Sequence, residues 1–308
     1  MLDVNRLRVI DAVARNGSVT AAARELHYSQ PSVTHHIARL EAETGAQLLQ
    51  RVGRGIRLTP AGQLLADRAA EIIGRIDAAG AELAAHVGLT AGRVRLAAFA
   101  SAIGSLVPAT VAALAARHPG LEINLTDTHP PEAIELLRPG KVEVAIIFRY
   151  DETDPEPVGV RLHHLLDDPM YLLSTRRGRK LAALRDATWI AGCDRCRSHL
   201  LSLCADEGYE PRIGYTSDDM VVMQALVAAG LGVTTIPGLA LRAHRAEGIV
   251  ASELPGSQRH VYAATYGEPP DPPATAALLA ALAEAATSAT SAAVTSSVTQ
   301  GPVQRTPR

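Results

Sequence analysis

The 308-residue sequence predicts an α+β protein of several domains: a three-helix module with a β-wing, one long linker helix, then a larger α/β region. Three observations predict it. Capping residues and glycines divide residues 4–45 into short helical segments. Over residues 65–83 apolar side chains recur at alternating steps of four and three. From residue 93 onward, short apolar runs of strand type alternate with helical ones.

The bulk numbers bound the reading. Apolar residues make up 47% of the chain and aromatics 3%, so Leu, Val, Ile and Ala must fill the cores. The net charge of −2 gives no global sign of nucleic-acid binding, but residues 1–62 hold eight Arg against five acids. A basic module is therefore masked by the neutral whole. The absence of an apolar run of about 18 residues predicts no membrane span. The start MLDVNRLRVIDAVARNG lacks the layout of a signal peptide, so the expected location is cytoplasmic. Three cysteines, an odd number, argue against a disulfide scaffold.

The elements follow in order. Leu7, Ile10 and Val13 mark a helix over 5–16, which Gly17 stops. Ser18 caps a second helix reaching about Leu26, and His27-Tyr28 form the turn. Ser29 caps a third, with Pro31 in its first turn, Thr44 at its end and Gly45 just beyond. Extended arms around Gly53 and Gly55 form a β-wing. Thr59-Pro60 then start a helix to about Ala85 that carries Leu65, Ala69, Ile72, Ile76, Ala79 and Leu83 as one stripe. The stripe reads as a dimerisation seam through Leu65, Ile72, Ile76 and Leu83, against the alternative of a helix lying on its own domain. Strands are expected at 93–98, 122–127, 142–147, 160–166, 170–174, 188–192, 212–216, 232–236 and 260–266, in mostly parallel sheets. From Ala286 the composition turns to Ser, Thr and Ala, which predicts a disordered tail at 288–308. The expected domains are 1–59, 60–88 and 93–287. Lobe 1 of the last takes about 93–158 and 262–287, lobe 2 about 159–261, with Pro155 and Pro157 at the crossover.

At about 100° per residue, Val33, Ile37 and Leu40 of the third helix share one face. Pro31, His35, Ala38 and Arg39 lie opposite, flanked by Ser32 and Thr34, with Gln30 at the N-terminal end. A short helix, a tight turn and a second helix with a small and polar outer face match a helix-turn-helix that enters the major groove. Gln30 suits an adenine edge, and Ser or Thr suits base or phosphate. The expected DNA contacts are Ser18, Ser29, Gln30, Pro31, Ser32, Thr34, His35 and Arg39, with Arg51 and Arg54 on the wing. An arginine there can enter a narrow minor groove.

The run SVTAAARELHYSQPSVTHHIARLEAETGAQLLQRVGRGIRLTPAG closely resembles the signature of LysR-type transcriptional regulators. It departs from the usual pattern at Leu49, where the family has an aromatic residue, and at His35 and His36, where Arg or Gln is common. The resemblance implies a winged helix-turn-helix, a linker helix and two α/β lobes of periplasmic-binding-protein type with a small effector between them. It also implies double-stranded DNA as partner and a homodimer that pairs into a homotetramer; RNA polymerase is a candidate further partner. No enzyme activity and no cofactor are expected.

Ligands of α/β sheets bind beyond the carboxyl ends of strands, near helix N-termini. That rule points to Ser101, Thr128, Phe148 and Arg149 from one lobe and Thr216, Ser217 and Asp218 from the other. Arg149 with two hydroxyls favours a carboxylate, so the expected effector is anionic. The cysteines of CDRCRSHLLSLC offer an alternative, a thiol-based redox or metal-sensing regulator or an oxidoreductase using Cys193, Cys196 and Cys204. Helical spacing turns His199 and Cys204 apart, which disfavours a shared metal. A solute-binding protein would leave the helix-turn-helix unexplained.

Overall fold

A computed structural model of the chain describes residues 2–52, 55–86, 92–150 and 159–298. The N-terminal module comprises α1 (Val4–Asn16), α2 (Val19–Glu25) and α3 (Gln30–Thr44), then a hairpin of β1 (Leu49–Val52) and β2 (Gly55–Leu58). Ser18 caps α2 and Ser29 caps α3 as expected, and Asp3, for which no role was expected, caps α1. Gly17 and Gly45 end α1 and α3 in the left-handed conformation. Leu7, Ile10, Val13, Val33, Ile37, Leu40 and Leu48 form its core. Glu41 ties α3 to the wing, its Oε1 accepting from the Leu48 and Leu49 amides at 2.8 and 3.2 Å.

The linker helix α4 (Pro60–His86) has two characters. Ala69 is fully buried in the core of the N-terminal module and Leu65 packs against it. Ile72, Ile76 and Leu83 are exposed. The predicted seam is thus corrected at its start: Leu65 and Ala69 complete their own domain, because α1 packs along the first turns of α4. Further along, Gly74 lies on the turn after α7 (Pro130–Leu137). A Cβ at Gly74 would stand 2.6 Å from the Pro139 carbonyl, so only hydrogen fits there.

The larger region opens with β3 (Gly92–Ala98), α5 (Ala100–Ile103), α6 (Val107–Arg117) and β4 (Leu121–Asp127), followed by α7 and β5 (Val144–Arg149). Next come β6 (Val160–Ser174), β7 (Thr188–Ala191), α8 (Asp194–Asp206), β8 (Arg212–Thr216) and α9 (Met220–Ala228). Last are β9 (Thr234–Pro237), α10 (Gly238–Ala243), β10 (Val250–Tyr266) and α11 (Pro273–Val298). Six strands join in the order β4-β3-β5-β10-β6-β9, while β7 and β8 pair separately. The pairs β3–β4, β3–β5 and β7–β8 are parallel; β10–β5, β10–β6 and β6–β9 are antiparallel. The expectation of mostly parallel sheets therefore fails, because two long strands run in opposite directions through both lobes.

Those strands also move the lobe boundary. Val160 and Leu162 of β6 pack with Tyr262 and Ala264 of β10 and with Ala145 and Ile147 of β5. The first half of β6, assigned to lobe 2 from sequence, belongs to lobe 1. Its second half and residues 250–258 pack with lobe 2, where Met170, Leu172, Trp189, Leu200 and Cys204 share a core. A strand crossing from lobe to lobe carries no turn signal at the boundary. Pro255 and Gly256 hide the early part of β10, whose register shifts between Glu253 and Gln258.

The helical tail is a further correction: α11 runs on to Val298 where disorder was expected from residue 288. Alanine keeps helix propensity high. Thr287, Ser288 and Thr290 donate their hydroxyls to carbonyls four residues back, and Ala286 is buried in the lobe 1 core. Residues 299–308 lie outside the described residues.

Candidate functional site: a DNA-reading helix and an inter-lobe cleft

The pattern of burial along α3 sorts its side chains. Val33, Ile37 and Leu40 are buried, while Gln30, Pro31, Thr34, His35, Ala38 and Arg39 are exposed and Ser32 is half-buried. Ser29 Oγ accepts from the Ser32 amide at 3.2 Å and Ser18 Oγ accepts from the Ala21 amide at 3.4 Å, so both serines act as helix caps. The Thr34 hydroxyl donates to the Gln30 carbonyl at 3.0 Å and offers outward only its lone pairs. His36 stacks on Tyr28 with ring centroids 5.7 Å apart, which leaves His35 as the outward histidine. Arg51 is exposed on β1; Arg54 lies outside the described residues.

The cleft between the lobes holds a cavity of about 40 Å³. Its walls include Phe99, Phe148 and His129 from lobe 1, and Cys193, Cys196, Asp218 and Thr235 from lobe 2, with Arg259 between. Of the seven residues expected there, Phe148 and Asp218 line it. Arg149 does not. It follows Phe148 on a strand, so it points to the opposite face, the side of Ala145 and Ile147, where it is buried opposite His260. Ser101 sits one layer back, and its hydroxyl accepts from Arg259 Nη2 at 2.8 Å. Thr128 spends its amide on the Ala98 carbonyl. Thr216 and Ser217 stop short of the wall, with Ser217 Oγ accepting from the Asp219 amide at 3.2 Å. The cap of α9 is Asp219, whose carboxylate takes the Val221 and Val222 amides.

The cation of the cleft is Arg259, which the sequence reading passed over. Its guanidinium is fully buried and donates to Asp168 Oδ2 from Nε at 3.0 Å and from Nη2 at 2.8 Å. Asp168 Oδ1 accepts from the Leu239 amide at 2.9 Å. Ser101, Arg259, Asp168 and Leu239 thus form one chain of hydrogen bonds that joins α5, the two crossing strands and the start of α10. Burial pushes the Asp168 carboxyl up and the Arg259 charge opposes the rise. The chain has two phenylalanines, and both lie against this cation, Phe148 at 4.5 Å and Phe99 at 4.8 Å from ring centroid to guanidinium carbon. Arg259 Nη1 is buried without a hydrogen-bond partner. Asp168 and Arg259 stand among other polar residues of their strands, Asp167 beside the first and Gln258 and His260 beside the second, so nothing local in the sequence singled them out.

Residues 88–287 match the model of the LysR substrate binding domain, and residues 4–63 match that of the bacterial regulatory helix-turn-helix protein, lysR family. The chain belongs to the LysR family. As such it is a DNA-binding transcriptional regulator with an effector-binding domain. Among its relatives, the HTH-type transcriptional regulator TfdS of Cupriavidus pinatubonensis (strain JMP 134 / LMG 1197) is 30% identical over 249 residues, which cover 77% of this chain and 82% of the relative. The crystal structure of CbnR, a LysR family transcriptional regulator, superposes with TM-score 0.63 at 25% identity, covering 92% of this chain and 99% of that one. ArgP from Mycobacterium tuberculosis shares the fold, with TM-score 0.69 at 24% identity over 93% of this chain and 98% of its own. Among the described residues, no helix of this LysR regulator is long and apolar enough to cross a membrane.

Proposed function

We propose that this LysR regulator binds an interrupted two-fold operator as a homodimer, and that a small anion between the lobes changes how the paired modules sit on DNA. The observation that carries the effector reading is Arg259, a cation of the cleft wall whose buried Nη1 has no hydrogen-bond partner. Such a donor costs free energy until an acceptor arrives, so a carboxylate or other oxyanion is the ligand class it favours. On the DNA side, Gln30 reads a base edge, Ser32, Thr34 and His35 flank it, and Arg39 with wing residues Arg51 and Arg54 holds phosphate or minor groove. Ser18, Ser29 and Pro31 set the helix starts from which these side chains project. That CbnR has been crystallised with its target DNA supports this placement. Ile72, Ile76 and Leu83 form the dimer seam, dimers pair into tetramers, and the protein works in the cytoplasm, with RNA polymerase as a candidate partner. A ligand shifts such a system only by its differential affinity for two arrangements, typically about 1–3 kcal/mol.

The test is selection of duplexes from a random pool by the full chain, followed by salt titration. Recovered sites should show two-fold symmetry, and Arg39→Ala should lower the slope of log affinity against log salt by about one. Equal retention of selected and random DNA would overturn the operator reading. In sedimentation, Ile72→Asp should release monomers from a wild-type dimer, since it puts a charge into the seam.

A further inference from the structure

The effector reading leaves the Cys193-x-x-Cys196 pair of the cleft wall unused. Cys193 is the N-terminal residue flanking α8, and Cys196 lies in the first turn. Gly192 leaves room for it, since a Cβ there would meet the Cys196 Cβ at 3.1 Å. The Cys193 thiol donates to the Cys196 sulfur at 3.0 Å, and both thiols are free and partly exposed at the cavity wall. Two buried groups face Cys196 from lobe 1 and the crossing strand. One is the Tyr150 hydroxyl, which lacks an aligned hydrogen-bond partner; the other is the Arg259 guanidinium. The hydrogen bond from Cys193 lowers the Cys196 thiol to about 6, with Tyr150 and Arg259 assisting against burial. Burial keeps the Tyr150 hydroxyl protonated and therefore a donor.

Among the described residues, the group of His, Cys, Asp and Glu close enough to hold a metal is His164, Asp167 and His260, so neither cysteine, nor His129 and Asp218 on the same wall, belongs to such a cluster. Cys204 is buried in the lobe 2 core, and His199 turns away to stack on Tyr150 and bond Ser257 at 3.0 Å. Two sulfurs in contact suffice for a disulfide. Size decides the oxidant, because pockets for drug-sized ligands measure roughly 300–1,000 Å³, whereas this cavity measures about 40 Å³. Hydrogen peroxide fits such a space and an aromatic acid does not.

We propose that Cys193 and Cys196 form a reversible dithiol–disulfide couple in the effector cleft, oxidised by a small hydroperoxide and coupled to DNA binding through Arg259. The proposal deepens the cleft reading and rests on it for its link to DNA. The Cys196 thiolate attacks the distal peroxide oxygen, breaking the O–O bond to give a sulfenic acid and releasing hydroxide, which is protonated to water. The Cys193 thiol then attacks the sulfenic sulfur, forms the S–S bond and releases a second water. Two electrons pass from the sulfurs to the peroxide, and a dithiol reverses the reaction. The negative charge beside Arg259 disappears on oxidation, so the cation's environment changes with redox state.

The experiment treats the reduced full chain with equimolar hydrogen peroxide and follows intact mass, a peptide map and operator binding. The expected result is loss of two hydrogens, a Cys193–Cys196 cross-link reversed by dithiothreitol, and a severalfold change in operator affinity. Cys193→Ser should accumulate sulfenic acid that a dimedone probe traps, and Cys204→Ser should behave as wild type. Over-oxidation of a single cysteine without a cross-link would overturn the proposal. So would stoichiometric Zn²⁺ binding that protects both thiols. A cross-link with unchanged operator affinity would overturn the coupling. A thermal shift of the double variant Cys193→Ser, Cys196→Ser with sodium formate reads the anion site by itself, so its failure is distinguishable from failure of the thiol couple.

Discussion

The recognition helix and the effector cleft use the same kinds of residue under different rules of placement. On α3, a face follows from position along one helix, and the burial of Val33, Ile37 and Leu40 matches the face set by about 100° per residue. In the cleft, a side chain's direction depends on the pleat of a strand and on which segment crosses behind it. Phe148 and Arg149 are adjacent, yet one lines the cavity and the other is buried on the far face. The cleft cation comes instead from Arg259, distant in sequence from Ser101 and Asp168, which it joins. A local face can be read from one stretch of chain; a convergent site needs the topology first.

The largest effect that sharpens this contrast is expected at the buried pair. Asp168→Ala leaves the Arg259 cation buried without its carboxylate, which costs about 3–5 kcal/mol. Urea denaturation should show that loss, and a cost below 1 kcal/mol would mean that Arg259 finds another partner. On α3, Gln30→Ala should cost about 1–3 kcal/mol on the selected operator and spare random DNA. Competition binding checks it, and equal losses on both would mean that the face reads no bases.

A third expectation concerns pH. Burial lowers the His199 ring to about 4 from an ordinary 6.5. Between those values the unfolded chain takes up a proton that the folded chain does not, so stability falls as pH drops from 6.5 towards 4 and is fully present above 6.5. With the ring only partly buried, solvent should reduce the effect to about 1–2 kcal/mol. Denaturation midpoints at pH 7 and pH 5 should diverge in the wild type and draw together in His199→Gln. The smallest effect is expected at Arg149: Arg149→Ala should leave the thermal shift given by formate within about twofold, since 0.4 kcal/mol or less is at stake for a residue off the cleft wall. A complete loss would return the cleft cation to β5.

Much of the fold was legible in the sequence because its signals are local. Ser18, Ser29, Gly17 and Gly45 mark the helix ends where the structure has them. The apolar alternation places most strands within a few residues. What escaped is non-local. Nothing near Leu65 says that α1 will cover it, and no break in β6 tells that its first half packs with lobe 1. The Ser- and Thr-rich end of α11 looks too polar to fold, yet its hydroxyls bond within the helix and its alanines reach the core. At the cleft, Phe148, Asp218 and the cysteine pair were found from strand ends and helix starts. Arg259 and Thr235 were missed because their roles depend on the crossing strands.

The contact between Gly74 and the Pro139–Gly140 turn gives the linker helix a mechanical role. Two backbones meet there with no side chain between them, so the surfaces can roll on one another but leave little slack. Gly74 lies fourteen residues into the helix from Pro60, about 21 Å along its axis at 1.5 Å per residue. The helix is then a lever with its fulcrum near the middle, pressed by lobe 1 and carrying the DNA module at its end. A turn of about 10° at that bearing would sweep Pro60 through roughly 4 Å by the same rise per residue, about the width of a groove contact. Filling the bearing with a methyl group, as in Gly74→Ala, would prop the lever at a new angle while leaving the DNA face and the cleft intact.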